Sequence, residues 1–262
     1  MIAGSRGHPR TSVRGMIVKR TAWTIVPVRL GVMTVPYAQL VRGARTHRQI
    51  NIPCIGWVLR GPKADIIVDT GPGSAEWSGK HHNPMVRPAR EGVKEAFALA
   101  GVDVSQVKTV INTHLHWDHC YGNVEFDNAS FYVQRKELAY ARRPLPCDDP
   151  IYETSLAAPF ERVKDRIVVV DGETEIAPGI RLVPMHGHTP GHQGVLVEGT
   201  ERTILIAGDA VGLYANLEGA GKPGVIYTDL RAWYGSLTSL LARCDLVLPG
   251  HDPDVFEQVS YS

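Results

Sequence analysis

Several features that mark other classes of protein are missing from this 262-residue sequence. No run approaches the roughly 18 apolar residues that a membrane-spanning helix needs, and the start MIAGSRGHPR lacks the apolar core of a secretory signal. No Cys-x-x-Cys pair occurs among the four cysteines, so neither a disulfide framework nor a thiolate zinc site is indicated. We therefore expect a cytoplasmic globular protein without a membrane partner, and the composition, 44% hydrophobic and 21% charged, is typical of that class.

Acidic residues are absent from residues 1–64, which carry eleven lysines and arginines. We interpret residues 1–15 as a flexible basic tail and residues 16–262 as one domain, because no linker or low-complexity segment divides the rest. A targeting leader or an anion-binding segment is the alternative interpretation of the basic start. The overall net charge of +1 offers no basic platform for nucleic acid.

The order of apolar segments predicts an α/β fold. Helical spacing of apolar residues predicts helices at Ala89–Ala100 and Leu230–Ala242. Short runs rich in β-branched and aromatic residues predict strands, at Thr21–Leu30, Ile50–Leu59, Ala64–Asp69, Val107–Ile111, Ser130–Val133, Ile167–Val170, Ile180–Pro184, Gly194–Val197, Thr203–Ala207 and Asp245–Leu248. Two strand-rich halves with helices of their own favour a four-layer αββα sandwich of two mixed sheets flanked by helices.

A dense group of potential metal ligands follows the predicted strand at Val107–Ile111. His114 and His116 point to the same side of an extended segment, because side chains alternate with period two, so both can face one ion. Asp118 and His119 lie on the turn that follows and can reach a second ion. Imidazole and carboxylate suit zinc and similar ions. The sequence thus predicts a metal site here.

Four residues cannot complete two metal sites, and three more candidates follow predicted strand ends. They are His188, in the segment His-Gly-His-Thr-Pro-Gly-His, Asp209, in Ala-Gly-Asp-Ala, and His251, in Pro-Gly-His-Asp. Ligands drawn from several strand ends converge on one edge of a sandwich, so the spacing allows a dinuclear centre.

With its His-x-His-x-Asp-His motif, the later single histidines and the Asp after Gly, the chain resembles the metallo-β-lactamase superfamily over roughly residues 50–255. Within that superfamily it is most similar to the N-acyl homoserine lactonase group. The similarity rests on Val-Asp-Thr-Gly at Asp69, the run His-Leu-His-Trp-Asp-His-Cys-Tyr-Gly-Asn, Val-Gln-Arg-Lys-Glu at 133–137 and His-Thr-Pro-Gly-His-Gln from His188.

This resemblance implies a hydrolase that uses two divalent ions to drive activated water onto the carbonyl carbon of a lactone. The ions are expected to be zinc, with manganese, iron or cobalt as alternatives. The first metal would be held by His114, His116 and His188, the second by Asp118, His119 and His251, and Asp209 would bridge them. Asp118 would also be catalytic, carrying a proton to the departing alkoxide.

Some positions leave alternatives open. His188 is preferred to His186 as the ligand because it begins the family pattern, which leaves His186 and His192 to loop packing or support of the ligands. Asp69 is expected to hold a ligand or loop by hydrogen bonds. His81 and His82 are either pocket lining or solvated surface.

The sequence departs from the lactonase pattern at Gly212, where the resemblance implies a tyrosine that assists at the carbonyl oxygen. Tyr214 is our candidate catalytic replacement, with Tyr121 as the other possibility. The loops Gly71–Pro88 and Gly212–Thr228 are expected to select a partly apolar small molecule, a lactone or ester. The alternatives are a carboxylic ester or thioester hydrolase of the same fold and a non-catalytic metal-binding scaffold; the chain is expected to be a monomer or homodimer.

Overall fold

The computed structural model describes residues 23–87 and 92–262. The predicted tail at residues 1–15 lies outside the described residues, as do the first residues of the strand predicted from Thr21 and of the helix predicted from Ala89. Among the described residues, no helix combines the length and apolar character that crossing a bilayer requires.

Twelve strands and seven α-helices are present among the described residues. The strands are β1 (Thr24–Pro36), β2 (Gln49–Arg60), β3 (Asp65–Val68), β4 (Met85–Val86), β5 (Thr109–Ile111), β6 (Ser130–Gln134), β7 (Ile167–Val170), β8 (Thr174–Ala177), β9 (Ile180–Pro184), β10 (Gln193–Glu198), β11 (Thr203–Gly208) and β12 (Leu246–Pro249). The helices are α1 (Tyr37–Leu40), α2 (Ala75–His81), α3 (Val93–Leu99), α4 (Trp117–Cys120), α5 (Arg135–Ala141), α6 (Asp149–Tyr152) and α7 (Leu230–Leu241). Short 3₁₀ helices occupy Tyr121–Glu125, Pro159–Arg166, Asp209–Val211, Tyr214–Leu217 and Pro253–Phe256.

These strands form two mixed sheets. The seven-stranded sheet has the order β4-β1-β2-β3-β5-β6-β7, and the five-stranded sheet has the order β12-β11-β10-β9-β8. In the first sheet β1, β2 and β4 pair antiparallel, whereas β3, β5, β6 and β7 are parallel. In the second sheet β11 and β12 are parallel and the other pairs antiparallel.

Alternation along the strands explains how the two sheets pack. In β2, Ile55, Trp57 and Leu59 enter the core between the sheets, where they meet the second sheet's Leu182 and Ile206. The other face of the first sheet packs on α3 through Phe97, and the outer face of the second packs on α7 through Trp233 and Leu237. The layers therefore run helix, sheet, sheet, helix, and the predicted αββα sandwich is confirmed.

Element boundaries differ from the sequence-based expectation in a few places. The strand predicted to end at Leu30 continues to Pro36, because a register shift between Arg29 and Gly31 absorbs the glycine. Helices α1, α2, α4, α5 and α6 and strands β4 and β8 were not predicted. Both α2 and β4 lie in the segment expected to be a loop from Gly71 to Pro88.

Candidate metal centre

The predicted ligands, and Asp69 with its expected supporting role, all follow strand ends that lie at one edge of their sheets. In the first sheet Asp69 follows β3 and the His114 segment follows β5, and these two strands are parallel. In the second sheet β9, β11 and β12 run in one direction and are followed by His188, Asp209 and His251. The topology thus gathers at one place predicted ligands that are up to 137 positions apart in the sequence, from His114 to His251.

The first donor cluster consists of His114, His116, His188 and Asp209, whose donor atoms all lie within 4.8 Å of one another. His188 Nε2 is 3.2 Å from His116 Nδ1 and 3.4 Å from Asp209 Oδ2. Rings of His114 and His116 meet edge to face, with centroids 4.3 Å apart. The structure therefore brings His188, and not His186, into this cluster.

The second donor cluster consists of Asp118, His119 and His251. Nε2 of His119 and Nε2 of His251 each lie 3.8 Å from Asp118 Oδ2. Asp209 Oδ1 is 3.1 Å from His119 Nε2 and 3.0 Å from His251 Nε2. One oxygen of Asp209 thus faces each cluster, which is the geometry that a bridging carboxylate requires.

Hydrogen bonds from Asp69 orient the first histidines. Asp69 Oδ1 accepts from the Thr113 N–H at 2.8 Å, and Oδ2 lies 2.7 Å from Thr113 Oγ1 and 2.8 Å from His119 Nδ1. Because the single hydroxyl proton of Thr113 goes to Asp69, Thr113 Oγ1 accepts from His114 Nδ1 at 3.0 Å. His114 and His119 therefore both present Nε2 to the clusters, and Asp69 has the supporting role expected for it.

Backbone carbonyls orient two further histidines in the same way. His188 Nδ1 donates to the Ile226 carbonyl and His251 Nδ1 to the Pro53 carbonyl, each at 2.9 Å. His116 is turned the other way and presents Nδ1 to His188. Gly208 has a φ of +50°, and a Cβ there would lie 2.9 Å from His192 Nε2, so only glycine fits directly before Asp209.

The direction of the pKa shift differs between the imidazoles of the two donor clusters. Burial, reinforced by neighbouring imidazoles, holds the pKa of His114 and that of His116 well below the usual range. Burial alone would lower the pKa of His119, but the surrounding carboxylates, Asp209 first, raise it well above its usual value. Burial would raise the pKa of Asp209, yet the facing His251 and His119 hold it well below normal. His114 and His116 are consequently neutral, the form that binds metal.

Two divalent ions fit this arrangement. His114 Nε2, His119 Nε2 and Asp209 Oδ1 are buried and make no well-aligned hydrogen bond within the part of the chain that the structure describes, although Asp209 Oδ1 lies 3.1 Å from His119 Nε2. Buried polar atoms in native proteins almost always have partners, and these three face the interiors of the two clusters. Five imidazoles and two carboxylates are also the donor types that zinc and related ions prefer.

Glu137 joins the two loops that carry the histidines of the first donor cluster, a role that we did not expect from the sequence. Its Oε1 accepts from the Leu115 N–H at 3.0 Å and from the Tyr152 hydroxyl at 3.1 Å. Its Oε2 accepts from the Thr189 hydroxyl at 2.5 Å and from the Gly191 N–H at 3.2 Å. The only sequence signal was its place in Val-Gln-Arg-Lys-Glu.

A cavity of about 240 Å³ opens onto both donor clusters. Its apolar wall comes from Met33, Val35, Leu40, Ile52, Ile151 and Ile226, and its polar wall includes Gln39, His82, Asn83 and Asn216. Both predicted substrate loops contribute, but the residues from β1, β2 and α1 were not foreseen. The site is therefore a mixed pocket, lined by both apolar and polar side chains.

Tyr227, and not Tyr214, is the tyrosine at this cavity. Tyr214 packs against the core between the sheets, its N–H donates to Asp252 Oδ2 at 2.8 Å, and burial raises its pKa to about 12. Tyr227 lines the cavity beside Gly212, with its ring centroid 5.6 Å from that of His188. The predicted catalytic role of Tyr214 is thus not supported by its position, because the turn after Asp209 directs it away.

The remaining histidines divide as follows. His186 is half-buried and outside both clusters, whereas His192 is buried and its Nε2 accepts from the Asp209 N–H at 3.2 Å. His82 lines the cavity, while His81 stacks near Trp77 with centroids 4.1 Å apart. Tyr121, the other tyrosine considered, packs near Trp77 at 6.3 Å.

This chain is an αββα sandwich with two donor clusters at the adjoining edges of its sheets. That arrangement is the one expected of an αββα protein with a metal site. The sequence matches the metallo-beta-lactamase superfamily over residues 53–251, and the chain belongs to that superfamily. The family expected from the motifs is thereby confirmed.

Relatives and solved structures agree with this placement. The N-acyl homoserine lactonase AiiA of Bacillus thuringiensis subsp. kurstaki is 29% identical over 180 residues, 64% of this chain and 68% of that protein. The N-acyl homoserine lactonase AttM of Azorhizobium caulinodans is 29% identical over 221 residues, 78% of this chain and 84% of that one. A crystal structure of a B. thuringiensis AiiA variant with N-decanoyl-L-homoserine at its active site gives a TM-score of 0.77 at 22% identity, over 90% of this chain and 96% of that one. AidC, a dizinc quorum-quenching lactonase, gives 0.70 at 16% identity over 90% of each chain.

Proposed function

We propose that this protein is a metal-dependent hydrolase that opens lactone rings, with N-acyl homoserine lactones as the first substrates to test. The observation that carries the proposal is the carboxylate of Asp209, shared between two donor clusters that open onto one cavity. The relatives named N-acyl homoserine lactonase support the choice of substrate. We assign His114, His116 and His188 to one ion, Asp118, His119 and His251 to the other, and Asp209 to both.

Two divalent ions, when bound, supply Lewis acidity and lower the pKa of water. Asp118 is the residue of the clusters best placed to handle protons. Its side chain is 12% exposed, lines the cavity, and lies no closer than 3.8 Å to the imidazoles of His119 and His251. A carboxylate oxygen free of hydrogen bonds can take a proton there and return it to the departing alkoxide.

Tyr227 can assist at the substrate carbonyl. Its hydroxyl lies 3.4 Å from the Asp209 carbonyl oxygen, a long hydrogen bond that a substrate oxygen can replace. Burial raises the pKa of Tyr227, so the phenol keeps its proton at neutral pH and remains a donor. A hydrogen bond donated to the carbonyl oxygen would stabilise the charge that develops there.

The test uses purified protein loaded with zinc or manganese and a panel of lactones in a pH-indicator assay. We expect acid release with N-acyl homoserine lactones, a product heavier by one water, and loss of turnover on chelation with recovery on adding metal. Asp118→Asn should lower kcat by about 100-fold or more, while Asp127→Asn, an exposed control, should not. Cleavage of aryl esters or thioesters without lactones would favour the ester hydrolase, and metal binding without any turnover would favour a scaffold.

A further inference from the structure

A buried carboxylate and imidazole pair lies at the cavity outside both donor clusters. His82 Nε2 is 2.7 Å from Glu153 Oε1, and the two side chains are 6% and 1% exposed. The Trp77 Nε1–H donates to the same oxygen at 2.6 Å. Burying a carboxylate costs free energy unless it is paired. Neither donor cluster includes His82 or Glu153, so metal binding does not explain why this pair is buried at the cavity.

Local structure fixes both members of the pair. Helix α2 begins at a Ser74 cap that accepts from the Trp77 N–H at 3.1 Å, and it ends at His81. Trp77 within the helix and His82 directly after it both reach Glu153 Oε1. Glu153 follows α6 with a φ of +55°, a left-handed conformation that residues other than glycine rarely adopt.

This strained conformation has one parallel in the described part of the chain. The other non-glycine residue with positive φ there is Asp69, with a φ of +58°, whose carboxylate orients His119 at 2.8 Å. Both strained residues thus use a carboxylate to orient a histidine. Backbone strain of this kind tends to occur at functional sites.

The ring of His82 is also held from the side. It stacks on Trp117 with ring centroids 4.0 Å apart and an interplanar angle of 4°, and both rings line the cavity. Trp117 directly precedes Asp118 in the chain. The imidazole is therefore fixed in position and tilt on the cavity wall, close to the proposed reaction centre.

The hydrogen bonds of the pair indicate which ring nitrogen of His82 carries the hydrogen and which one is an acceptor. Glu153 Oε1 already accepts from the Trp77 Nε1–H, so we assign it as the acceptor for His82 as well, which places the hydrogen of the pair on His82 Nε2. His82 Nδ1 makes no hydrogen bond to any described residue. In the neutral ring Nδ1 is then an acceptor, and the His82 side chain lines a cavity that is also lined by Met33, Val35 and Ile52.

On the basis of the lactone hydrolysis proposed above, we propose that the His82–Glu153 pair recognises lactones that carry an acylamino group. In this arrangement His82 Nδ1 accepts a hydrogen bond from the substrate amide N–H. The acyl chain then lies along the apolar wall of Met33, Val35 and Ile52. His82 is a substrate-binding residue, and Glu153 is a positioning residue that acts through it.

The test compares an N-acyl homoserine lactone with a γ-alkyl lactone of equal chain length, which has no amide. His82→Phe keeps the stack on Trp117 and removes the acceptor, and His47→Phe on the exposed surface is the matched control. We expect His82→Phe to lower kcat/KM for the acylamino lactone about 10- to 100-fold, mainly through KM, and to change the γ-alkyl lactone less than about 3-fold. Because both substrates meet the same preparation, the ratio does not depend on the folded fraction.

Glu153→Gln tests the positioning role by a second readout. Two-bond ¹H–¹⁵N spectra of the metal-loaded wild type should show the Nε2–H tautomer of His82. Loss of the carboxylate in Glu153→Gln should produce a tautomer mixture and an intermediate drop in the same substrate ratio, whereas exposed Glu76→Gln should change neither.

The outcomes separate the two proposals. Equal losses for both lactones, or an unchanged ratio, in His82→Phe would overturn the recognition role while leaving lactone hydrolysis intact. An Nδ1–H tautomer in the wild type would also overturn it. A metal-loaded wild type that opens neither lactone would overturn the proposed function and this inference together.

Discussion

Replacing Glu137 by glutamine should destabilise the protein and loosen the metal loops, although the side chain keeps its size. The carboxylate accepts four hydrogen bonds, and two of the donors, Leu115 and Gly191, are backbone N–H groups that cannot turn away. The Thr189 and Tyr152 hydroxyls can rotate, but a glutamine has one oxygen. Whichever way the amide is placed, one backbone N–H meets another N–H.

The expected magnitude follows from this count. One buried donor left without an acceptor costs about 1–3 kcal/mol, and the remaining hydrogen bonds weaken by about 1 kcal/mol each when the charge is lost. Burial raises the pKa of Glu137, which shows that its charged form is disfavoured by desolvation, so a neutral side chain recovers part of the loss. We expect a net decrease of about 2 kcal/mol in the free energy of unfolding, or a Tm lower by about 4–8 °C.

Urea unfolding followed by tryptophan fluorescence measures this change in the metal-loaded and metal-free forms. Leu115 lies between two ligands of the first donor cluster and Gly191 follows His188, so metal affinity should fall as well, by about 10-fold or more. Glu201→Gln, in the exposed turn between β10 and β11, is the control and should change neither quantity. An unfolding free energy of Glu137→Gln within about 0.5 kcal/mol of the wild type would refute the reasoning.

Three further predictions concern the centre itself. Asp69→Asn should weaken metal binding about 10- to 100-fold in a chelator competition assay, because the carboxylate orients His119 directly; unchanged affinity would contradict its supporting role. Tyr227→Phe should lower kcat for lactones about 10-fold or more, whereas Tyr214→Phe should leave kcat within about 2-fold, and the reverse pattern would restore Tyr214 as the catalytic tyrosine. Metal removal should lower Tm, since buried donors lose their partners, and titration back should saturate at two ions per chain by elemental analysis; saturation at one ion would argue against a dinuclear centre.

The architecture and the first ligands could be predicted from the sequence, and the reasons are physical. Period-two alternation after a buried strand puts His114 and His116 on one side, and this holds wherever the rest of the chain goes. His188, Asp209 and His251 could be assigned only through the family resemblance, because nothing local in the sequence states that distant strand ends meet. Once the parallel pairing of strands is known, their convergence follows.

Other features depended on tertiary structure that the sequence does not display. Tyr214 was chosen for its closeness to Asp209 in the chain, but the 3₁₀ helix at Asp209–Val211 turns the following residues toward the core between the sheets. Tyr227 reaches the cavity through the far end of the same loop. Glu153 gave no signal at all, since its left-handed backbone and its contact with His82 arise only from packing.

Asp209 has a consequence for the protein as a whole, because it belongs to the five-stranded sheet while its partners His119 and His114 belong to the seven-stranded one. Ions held there would join the two halves of the sandwich at one rim. Metal supply and folding would then be thermodynamically linked, with stability rising as the logarithm of free ion concentration above the dissociation constant. Hydrogen exchange in the ion-depleted protein should accelerate first along this rim and last at Trp57 in the interior.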